Sequence, residues 1–242
     1  MIATGIITAP RPKPTLEHSL ISYRMKGQFE NTVHIFADGE VQPFRSDYLR
    51  GWDGTITINT RKLGNLRNWW GAFTWLMSNT DSPWLMICED DITWAENASQ
   101  VLETELQAWD MTKQGILSLY MPQRMSRILE PLYSPHPTSR LSKGWYGITM
   151  GRKLWGAQCF VIPRAEGEAL MACGYMARTL SDVSKTMNID AHVAESAMLR
   201  GKQIWYRVPC LVDHILGDLN SSLYGSKDRP ELRTRYFEEI AS

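Results

Sequence analysis

The chain lacks the sequence signals that mark membrane, secreted and bulk nucleic-acid-binding proteins. No window reaches about 18 apolar residues in succession, and residues 1–25 do not join a charged start to an apolar core. Positive charge is not in excess, because 26 Lys and Arg residues balance 26 Asp and Glu residues. We therefore expect a cytoplasmic protein without a membrane partner, and not one that coats nucleic acid through bulk charge.

Several short motifs are also missing. The chain contains neither a GxxxxGK[ST] nor a GxGxxG segment, which excludes phosphate binding by those two glycine-rich loops. Its four cysteines lie far apart and form no CxxC pair. Because most of them lie in apolar runs, we expect reduced core thiols, with neither a disulfide nor a zinc site.

Strand-like and helix-like segments alternate along the chain. This alternation predicts an α/β fold in which helices flank a mainly parallel central sheet. No linker interrupts the pattern, so we interpret residues 1–242 as a single domain. The predicted strands are 4–10, 32–39, 55–59, 83–91, 115–121, 156–163 and 204–208, and the predicted helices are 15–27, 65–79, 99–110, 165–176 and 190–201, with a polar helix at 228–241.

Residues 122–153 break this rhythm. The segment contains four prolines and shows no clear hydrophobic period. Loops of this length in compact domains are usually functional or disordered. We therefore expect an irregular loop here that contributes to function.

Three consecutive carboxylates follow an apolar strand. Glu89, Asp90 and Asp91 come directly after "PWLMIC", where adjacent negative charges are costly unless a positive group lies among them. Open α/β sheets bind ligands at the carboxyl ends of their strands. The pattern favours a Mg²⁺ or Mn²⁺ site that faces substrate phosphates. The alternative is a solvated acidic turn, or a cap for the helix after Asn97.

Two further stretches carry candidate functional side chains. Asp213 and His214 follow a second apolar segment, and coupling to the acidic strand end makes His214 a candidate metal ligand. Ser221 and Ser222 come after it and could donate to phosphate oxygens or simply form a turn. Asp190 opens a predicted helix, where it is either a cap or a general base for an acceptor hydroxyl.

The neighbours of Asp190 complete the interpretation of that helix. Glu195 is the second candidate for the base. His192 is expected on a solvated face of the helix. Spacing alone does not decide between these roles.

These motifs, in this order, resemble those of nucleotide-sugar-dependent glycosyltransferases of the GT-A fold. The likeness covers most of residues 3–224 and rests on "GIITAPRP", "IFADG", "CEDD", "GAQCFVIPR", "NIDAHVAESAM" and "PCLVDHILGDLNSS". The "CEDD" segment resembles the DxD-type metal motif of that family, although it reads Glu-Asp-Asp. The "HILG" segment has one residue more than the family's usual "HIG" or "HVG".

The resemblance implies a metal ion, a nucleoside-diphosphate sugar donor (a UDP-sugar is favoured) and a role for each matched residue. Asp91 and His214 would bind Mn²⁺ or Mg²⁺, and Asp190 as base would make the transfer inverting, whereas a capping Asp190 leaves a retaining course open. The remaining donor contacts would come from Thr8, Ala9, Pro10, Arg11, Asp38, Asn65, Arg67, Glu89, Asp90, Ser221 and Ser222. Residues 1–121 would form the nucleotide-sugar half and residues 122–242 the acceptor-side half.

The acceptor side combines positive charge with aromatic rings. Between residues 122 and 153, six Lys and Arg residues oppose a single Glu130. The candidate acceptor contacts are Arg124, Arg127, Lys143, Trp145, Tyr146 and Trp155. This pattern suits a polyanion with stackable bases, and the small form of the chain is similar to phage-encoded enzymes that sugar-modify DNA bases inside a bacterial host. A hydroxymethylated pyrimidine in phage DNA is therefore the leading acceptor, and a bacterial glycan or lipopolysaccharide is its rival.

Two other functions remain open at the level of sequence. Clustered acids and a histidine could form a metal-dependent phosphoesterase or nuclease, in which two ions about 4 Å apart activate water. That mechanism needs a second set of carboxylates converging on Asp91, for which only Asp190 and Asp213 are available in the sequence. A non-catalytic sugar-binding module would need neither the metal strand nor a base.

Overall fold

Ten strands and seven helices occur in the residues that the computed structural model describes, which are 2–41, 54–110, 112–113, 115–134, 140–149, 156–182, 188–215 and 236–237. The strands are β1 (Ile2–Thr8), β2 (Val33–Ala37), β3 (Thr55–Ile58), β4 (Trp84–Glu89), β5 (Ile92–Trp94), β6 (Gly115–Ser118), β7 (Gly144–Ile148), β8 (Cys159–Pro163), β9 (Gln203–Val208) and β10 (Val212–His214). The helices are α1 (Leu16–Met25), α2 (Asn65–Asn79), α3 (Ala98–Gln107), α4 (Gln123–Tyr133), α5 (Arg164–Met171), α6 (Gly174–Ser181) and α7 (Ile189–Leu199). Trp155, Ser221, Ser222 and the predicted helix 228–241 lie outside the described residues.

Eight of the strands form one mixed sheet in the order β3-β2-β1-β4-β8-β6-β9-β7. Six of them run in one direction, and β7 and β8 run against their neighbours. The central strands β1 and β4 are nearly continuous apolar runs, as expected of parallel strands that are covered on both faces. The predicted α/β fold with a mainly parallel central sheet is therefore confirmed.

Helices cover both faces of this sheet. Along β4, Leu85 and Ile87 pack into the cluster that contains α2, whereas Met86 and Cys88 pack into the cluster that contains α1 and α3. Side chains alternate between faces along a strand, so a central strand such as β4 contributes to both clusters. Polar groups are therefore left for the strand ends, where the candidate site residues lie. None of the described helices is long and apolar enough to cross a membrane.

The expectation of an irregular loop at residues 122–153 was wrong over much of its length. Helix α4 buries Met125 and Leu129, which are spaced by four residues, and the proline that obscured this period lies in its last turn. Strand β7 pairs with β9 and places Gly147 opposite Trp205. A Cβ at Gly147 would lie 2.8 Å from that indole, so the glycine makes room for the ring.

The four cysteines are buried free thiols, as predicted. Cys88 and Cys159 face each other across β4 and β8, with their Sγ atoms 3.3 Å apart. Burial, and then the contact with Cys88, raises the pKa of the Cys159 thiol well above its ordinary value. A thiol in that state is a poor nucleophile, which fits a packing role for the pair.

Candidate metal and nucleotide site

The candidate site lies where several strands end at one edge of the sheet. Parallel strands β1 and β4 pair in register and end at Thr8 and Glu89. The short strands β5 and β10 pair antiparallel, which sets His214 opposite Ile92 and lets the Ile215 N–H donate to the Asp91 carbonyl at 2.8 Å. Residues separated by more than a hundred positions are thereby brought to one edge, where α/β sheets bind ligands.

Asp91 and His214 form the centre of the site. His214 Nε2 lies 3.4 Å from Asp91 Oδ2, and the His214 Nδ1–H donates to the Ile215 carbonyl at 3.0 Å, which orients the ring. Burial raises the pKa of Asp91, but the charges of His214 and Arg11 outweigh it and hold that pKa well below its ordinary range. Burial lowers the pKa of His214, but the Asp91 carboxylate outweighs it and raises that pKa to about 9.

Asp90 holds the end of β1 and the segment that follows it. The Thr8 hydroxyl donates to Asp90 Oδ2 at 2.5 Å, and Arg11 Nη2 donates to Asp90 Oδ1 at 2.5 Å. Arg11 Nη1 also lies 3.3 Å from Asp91 Oδ2. Burial raises the pKa of Asp90 to about 6 even though Arg11 opposes the shift. Arg11 is thus the positive group that the acidic triplet requires.

Glu89 ends β4 and contacts the start of α2. Its Oε1 accepts a long hydrogen bond of 3.4 Å from Asn65 Nδ2, at the start of α2. Burial, and then the charge of Asp91, raises the pKa of Glu89 to about 8. Burial thus favours the protonated form of this carboxyl, which can donate a hydrogen bond as well as accept one.

Asp38 fixes the loop that precedes α2. Its Oδ1 accepts from the Leu63 N–H at 2.6 Å and its Oδ2 from the Gly64 N–H at 2.8 Å. Both carboxylate oxygens therefore already hold a backbone donor. A donor molecule would contact Asp38 only through its remaining acceptor positions.

The sequence pattern did not single out two buried polar residues at this edge. Asn68 donates to the carbonyl oxygens of Thr8 and Phe36 at 3.3 and 2.9 Å and so joins the ends of β1 and β2 to α2. Tyr120 follows β6, is 1% exposed, and within the described residues its hydroxyl has no hydrogen-bond partner. The only signal for Asn68 was a polar residue on a wide aromatic helix face, which ordinary helices also show.

Asp190 lies in the first turn of α7, near the same edge. Its Oδ1 accepts from the Ala191 N–H at 2.9 Å and its Oδ2 from the Gly156 N–H at 3.2 Å. Gly156 has a φ of +115° and packs against the Tyr120 ring, where a Cβ would lie 3.3 Å from Cδ1. Burial raises the pKa of Asp190. The carboxylate thus accepts two backbone hydrogen bonds, and Gly156 connects it to the buried Tyr120.

His192 corrects one expectation about this helix. We expected it on a solvated face, but it is buried, and its Nδ1 lies 2.8 Å from the Tyr175 hydroxyl. Helix α6 packs against α7 at this point, so the face that the sequence pattern left polar is covered. Tertiary packing decided its burial, which the helix period could not show.

Three solved structures resemble this chain to different extents. GalNAc-T7 with UDP, GalNAc and Mn²⁺ superposes with a TM-score of 0.55 at 9% identity, covering 85% of this chain and 42% of that one. The mannosyltransferase PcManGT from Pyrobaculum calidifontis with GDP-Man and Mn²⁺ gives 0.49 at 12% identity, covering 84% and 56%. The mannose-1-phosphate geranyltransferase from Thermus thermophilus gives 0.48 at 11% identity, covering 88% and 76%. The chain has the GT-A fold.

Comparison by sequence gives no match. No family model matches the chain, and no curated protein matches it. The chain spans less than half of the GalNAc-T7 structure, 42% of its length. The likeness therefore shows the fold alone, and function must be inferred from the residues at the carboxyl edge of the sheet.

The candidate site offers a divalent metal ion few protein ligands. Among the described residues, no three Asp, Glu, His or Cys side chains converge closely enough to hold an ion on their own. Asp91 and His214 supply one carboxylate and one imidazole, and the buried Asp91 Oδ1 has no hydrogen-bond partner in this part of the chain. Mg²⁺ and Mn²⁺ commonly bind through one or two protein ligands together with substrate phosphates and water. The residues present fit such an ion.

Arg67, predicted to contact the donor, instead connects α2 to the end of α6. Its guanidinium donates to the Leu180 carbonyl at 3.0 and 3.2 Å and to the Asp182 carbonyl at 2.6 Å. These bonds tie the end of α6 to α2. To contact a donor, Arg67 would have to exchange these carbonyls for it.

The three cations that we predicted to contact the acceptor are exposed. Arg124 and Arg127 lie on the exposed face of α4, and Lys143 directly precedes β7. Residues three apart on a helix are neighbours, so the two arginines present adjacent charges. A negatively charged molecule can therefore reach this surface.

The two aromatic residues beside these cations do not share a face. Trp145 donates its indole N–H to Glu105 at 3.0 Å and packs edge-on against Trp109. Tyr146 points to the other side of β7 and packs edge-on against Tyr133, with ring centroids 5.1 Å apart. The alternation of side chains along a strand separates them. A single flat ligand would stack on one of these rings and not on both.

Proposed function

We propose that the chain transfers a sugar from a nucleoside-diphosphate sugar to an acceptor hydroxyl with the help of Mn²⁺ or Mg²⁺. The observation that carries this proposal is the convergence of Asp91 and His214 at the carboxyl edge of a GT-A sheet, with Asp91 Oδ1 buried and unpaired within the described residues. GalNAc-T7 was solved with UDP and Mn²⁺, which supports a UDP-sugar as the favoured donor. The rest of the reaction is derived from this chain's own side chains.

The leaving group of the reaction is a diphosphate, whose negative charge must be stabilised as the bond breaks. A divalent ion held by Asp91 and His214 would supply that stabilisation as a Lewis acid. Arg11, 3.3 Å from Asp91 Oδ2, adds a positive charge on the same side. Thr8 and Asp90 hold the backbone that carries Arg11, so the charge is positioned before the donor arrives.

Asp190 is proposed as the general base. A base must keep a carboxylate oxygen within hydrogen-bond reach of the acceptor hydroxyl, and each Asp190 oxygen keeps acceptor capacity beyond its one backbone donor. Burial raises the pKa of Asp190 and so makes the carboxylate more basic. Attack by an oxygen activated there, opposite the leaving diphosphate, would invert the anomeric carbon.

The acceptor is proposed to be a hydroxymethylated pyrimidine in DNA, with a bacterial glycan or lipopolysaccharide as the rival. The exposed Arg124, Arg127 and Lys143 support a polyanion. Either Trp145 or Tyr146 could stack on one extruded base. A neutral glycan would need such a ring but not the three cations.

A thermal-shift screen tests the donor site. We expect Mn²⁺ together with one of UDP, GDP and CDP to raise the melting temperature by several degrees, because a ligand that binds only the folded state stabilises it by mass action. Neither Mn²⁺ alone nor the nucleotide with EDTA should reproduce the full shift. If Mn²⁺ alone stabilises the protein and no nucleotide adds to it, a metal-dependent phosphoesterase becomes the better explanation of the acidic edge.

Salt dependence tests the acceptor. Replacing Arg124, Arg127 and Lys143 by Gln should weaken binding of hydroxymethylated duplex DNA and reduce the slope of log K against log salt by about 2 to 3, since each phosphate contact contributes roughly 0.9. Fluorescence anisotropy between low and moderate salt measures this slope. The matched control is Lys26→Gln, which removes an exposed charge at the far end of α1. A slope near zero in the wild-type protein would favour a neutral glycan instead.

A further inference from the structure

Arg11 contacts the two buried carboxylates of the site unequally. Its Nη2 lies 2.5 Å from Asp90 Oδ1, whereas its Nη1 lies 3.3 Å from Asp91 Oδ2. Charge-assisted hydrogen bonds between nitrogen and oxygen are usually about 2.7–2.9 Å long. The hydrogen bond to Asp90 is therefore strong, and the contact with Asp91 is weak. Asp91 remains available to a better cation while Arg11 stays attached to Asp90.

Asp91 and Arg11, the partners of the weak contact, each retain an unused hydrogen-bonding atom. Asp91 Oδ1 is buried and has no hydrogen-bond partner among the described residues, and the same holds for Arg11 Nε. The two side chains are 8% and 10% exposed. Leaving a buried polar atom unpaired costs free energy. An incoming cation would satisfy Asp91, and an incoming anion would satisfy Arg11.

Contacts of Thr8 and Pro10 hold the segment that carries Arg11, which keeps the guanidinium within the site. The Thr8 hydroxyl bonds Asp90, and the Asp38 N–H donates to the Thr8 carbonyl at 2.8 Å. The Pro10 ring packs against Gly39, which has a φ of +128° and where a Cβ would lie 3.0 Å from Pro10 Cγ. Arg11 therefore stays next to any ion that binds Asp91.

We infer that Arg11 couples metal binding to diphosphate binding, an inference that rests on the proposed function. Without a donor, Arg11 and His214 already supply the positive charge that Asp90 and Asp91 require, so a divalent ion that arrives alone is repelled by the guanidinium fixed beside its ligand. A nucleoside diphosphate offsets that repulsion with its own negative charge and offers an acceptor to Arg11 Nε. Metal ion and diphosphate then bind together much more tightly than either binds alone.

Calorimetric titration of the whole protein with Mn²⁺, in the absence and presence of saturating UDP, measures this coupling as the ratio of the two Kd values. Arg11→Gln should bind Mn²⁺ alone about tenfold more tightly, because one nearby positive charge is removed. The same variant should bind UDP with Mn²⁺ about tenfold more weakly, because a charged phosphate contact is lost. The coupling ratio should fall by about 100-fold, and linkage requires the same fall when UDP is the titrant.

Two control variants separate charge, geometry and folding. Arg11→Lys keeps the charge but loses the planar guanidinium, so its coupling ratio should lie between those of the wild type and Arg11→Gln. Lys26→Gln should leave the ratio unchanged. Thermal unfolding adds a readout that does not depend on UDP, since Mn²⁺ should raise the melting temperature of Arg11→Gln more than that of the wild type. The double variant Arg11→Gln/Asp91→Asn should lose that extra Mn²⁺ response.

The outcomes distinguish the inference from the function on which it rests. Equal Mn²⁺ affinities in the wild type and Arg11→Gln, with UDP binding intact in the wild type, would overturn the coupling role of Arg11. Failure of the wild type to bind UDP, GDP or CDP with Mn²⁺ would overturn the proposed function. In that second case, tighter Mn²⁺ binding by Arg11→Gln would still identify Arg11 as a counter-ion that competes with the metal.

Discussion

Asp91→Asn is expected to weaken metal-dependent nucleotide binding by at least about 100-fold, since losing even an indirect partner of a metal ligand commonly costs 10- to 100-fold. Asn keeps the size of the side chain and one oxygen but loses the charge that pairs with His214 across 3.4 Å. Titration of UDP, GDP and CDP in the presence of Mn²⁺ measures the loss. Binding of nucleotide in EDTA should change little, because no metal ion is then present to contribute to the affinity.

Asp81→Asn is the matched control for that variant. Asp81 carries the same charge, is exposed, and lies before β4 at the opposite edge of the sheet. Its nucleotide affinity should equal that of the wild type. If Asp91→Asn folds normally and binds nucleotide with Mn²⁺ as tightly as Asp81→Asn does, Asp91 is not a metal ligand and the acidic triplet serves only to hold Arg11.

Asp190→Asn is expected to reduce turnover by about 10²- to 10⁴-fold while leaving donor affinity nearly unchanged, because general base catalysis contributes on that order and Asn cannot accept the proton. Release of nucleoside diphosphate from the donor identified by thermal shift, with acceptor or with water, measures turnover. Donor affinity is measured separately by titration. The two measurements must diverge if the carboxylate acts only on the acceptor.

Asp190 also accepts backbone hydrogen bonds, so its capping role needs its own control. Loss of a helix cap costs about 1 kcal/mol and lowers the melting temperature without touching chemistry. Full turnover together with a lower melting temperature would assign Asp190 to capping alone. Glu168→Gln removes an exposed carboxylate on α5 and should affect neither measurement. Loss of turnover in Glu195→Gln, with Asp190→Asn active, would transfer the role of base to Glu195.

The sheet was predictable from the sequence because its parallel strands are buried on both faces and appear as continuous apolar runs. The position of Glu89, Asp90 and Asp91 followed from the same rule, since the polar residues after such a run must lie at the sheet edge. The approach of His214 to Asp91 did not follow. It depends on β5 and β10, strands of three residues each that are too short to show a period and that pair across more than a hundred positions.

The amino-acid composition of residues 122–153 predicted the side-chain contacts less well than the position of residues at strand ends did. The acceptor segment was rich in aromatic residues, but Trp145 and Tyr146 are consecutive in β7 and point to opposite faces. The resemblance implied a donor contact for Arg67, yet its guanidinium donates to the carbonyls of Leu180 and Asp182. The sequence indicates the type of residue at a position, whereas its partner is set by packing between distant segments.

The position of the antiparallel strand β8 limits how this chain can be divided into fragments. In the sheet it lies between β4 and β6, although both of those strands precede it in the chain. A fragment that ends before residue 122 would lack the strand that joins β4 to β6, and it would expose unpaired backbone on both. Grafting a whole C-terminal portion onto this chain would therefore rebuild the sheet itself, whereas a graft confined to α4 and β7 would leave β8 in place.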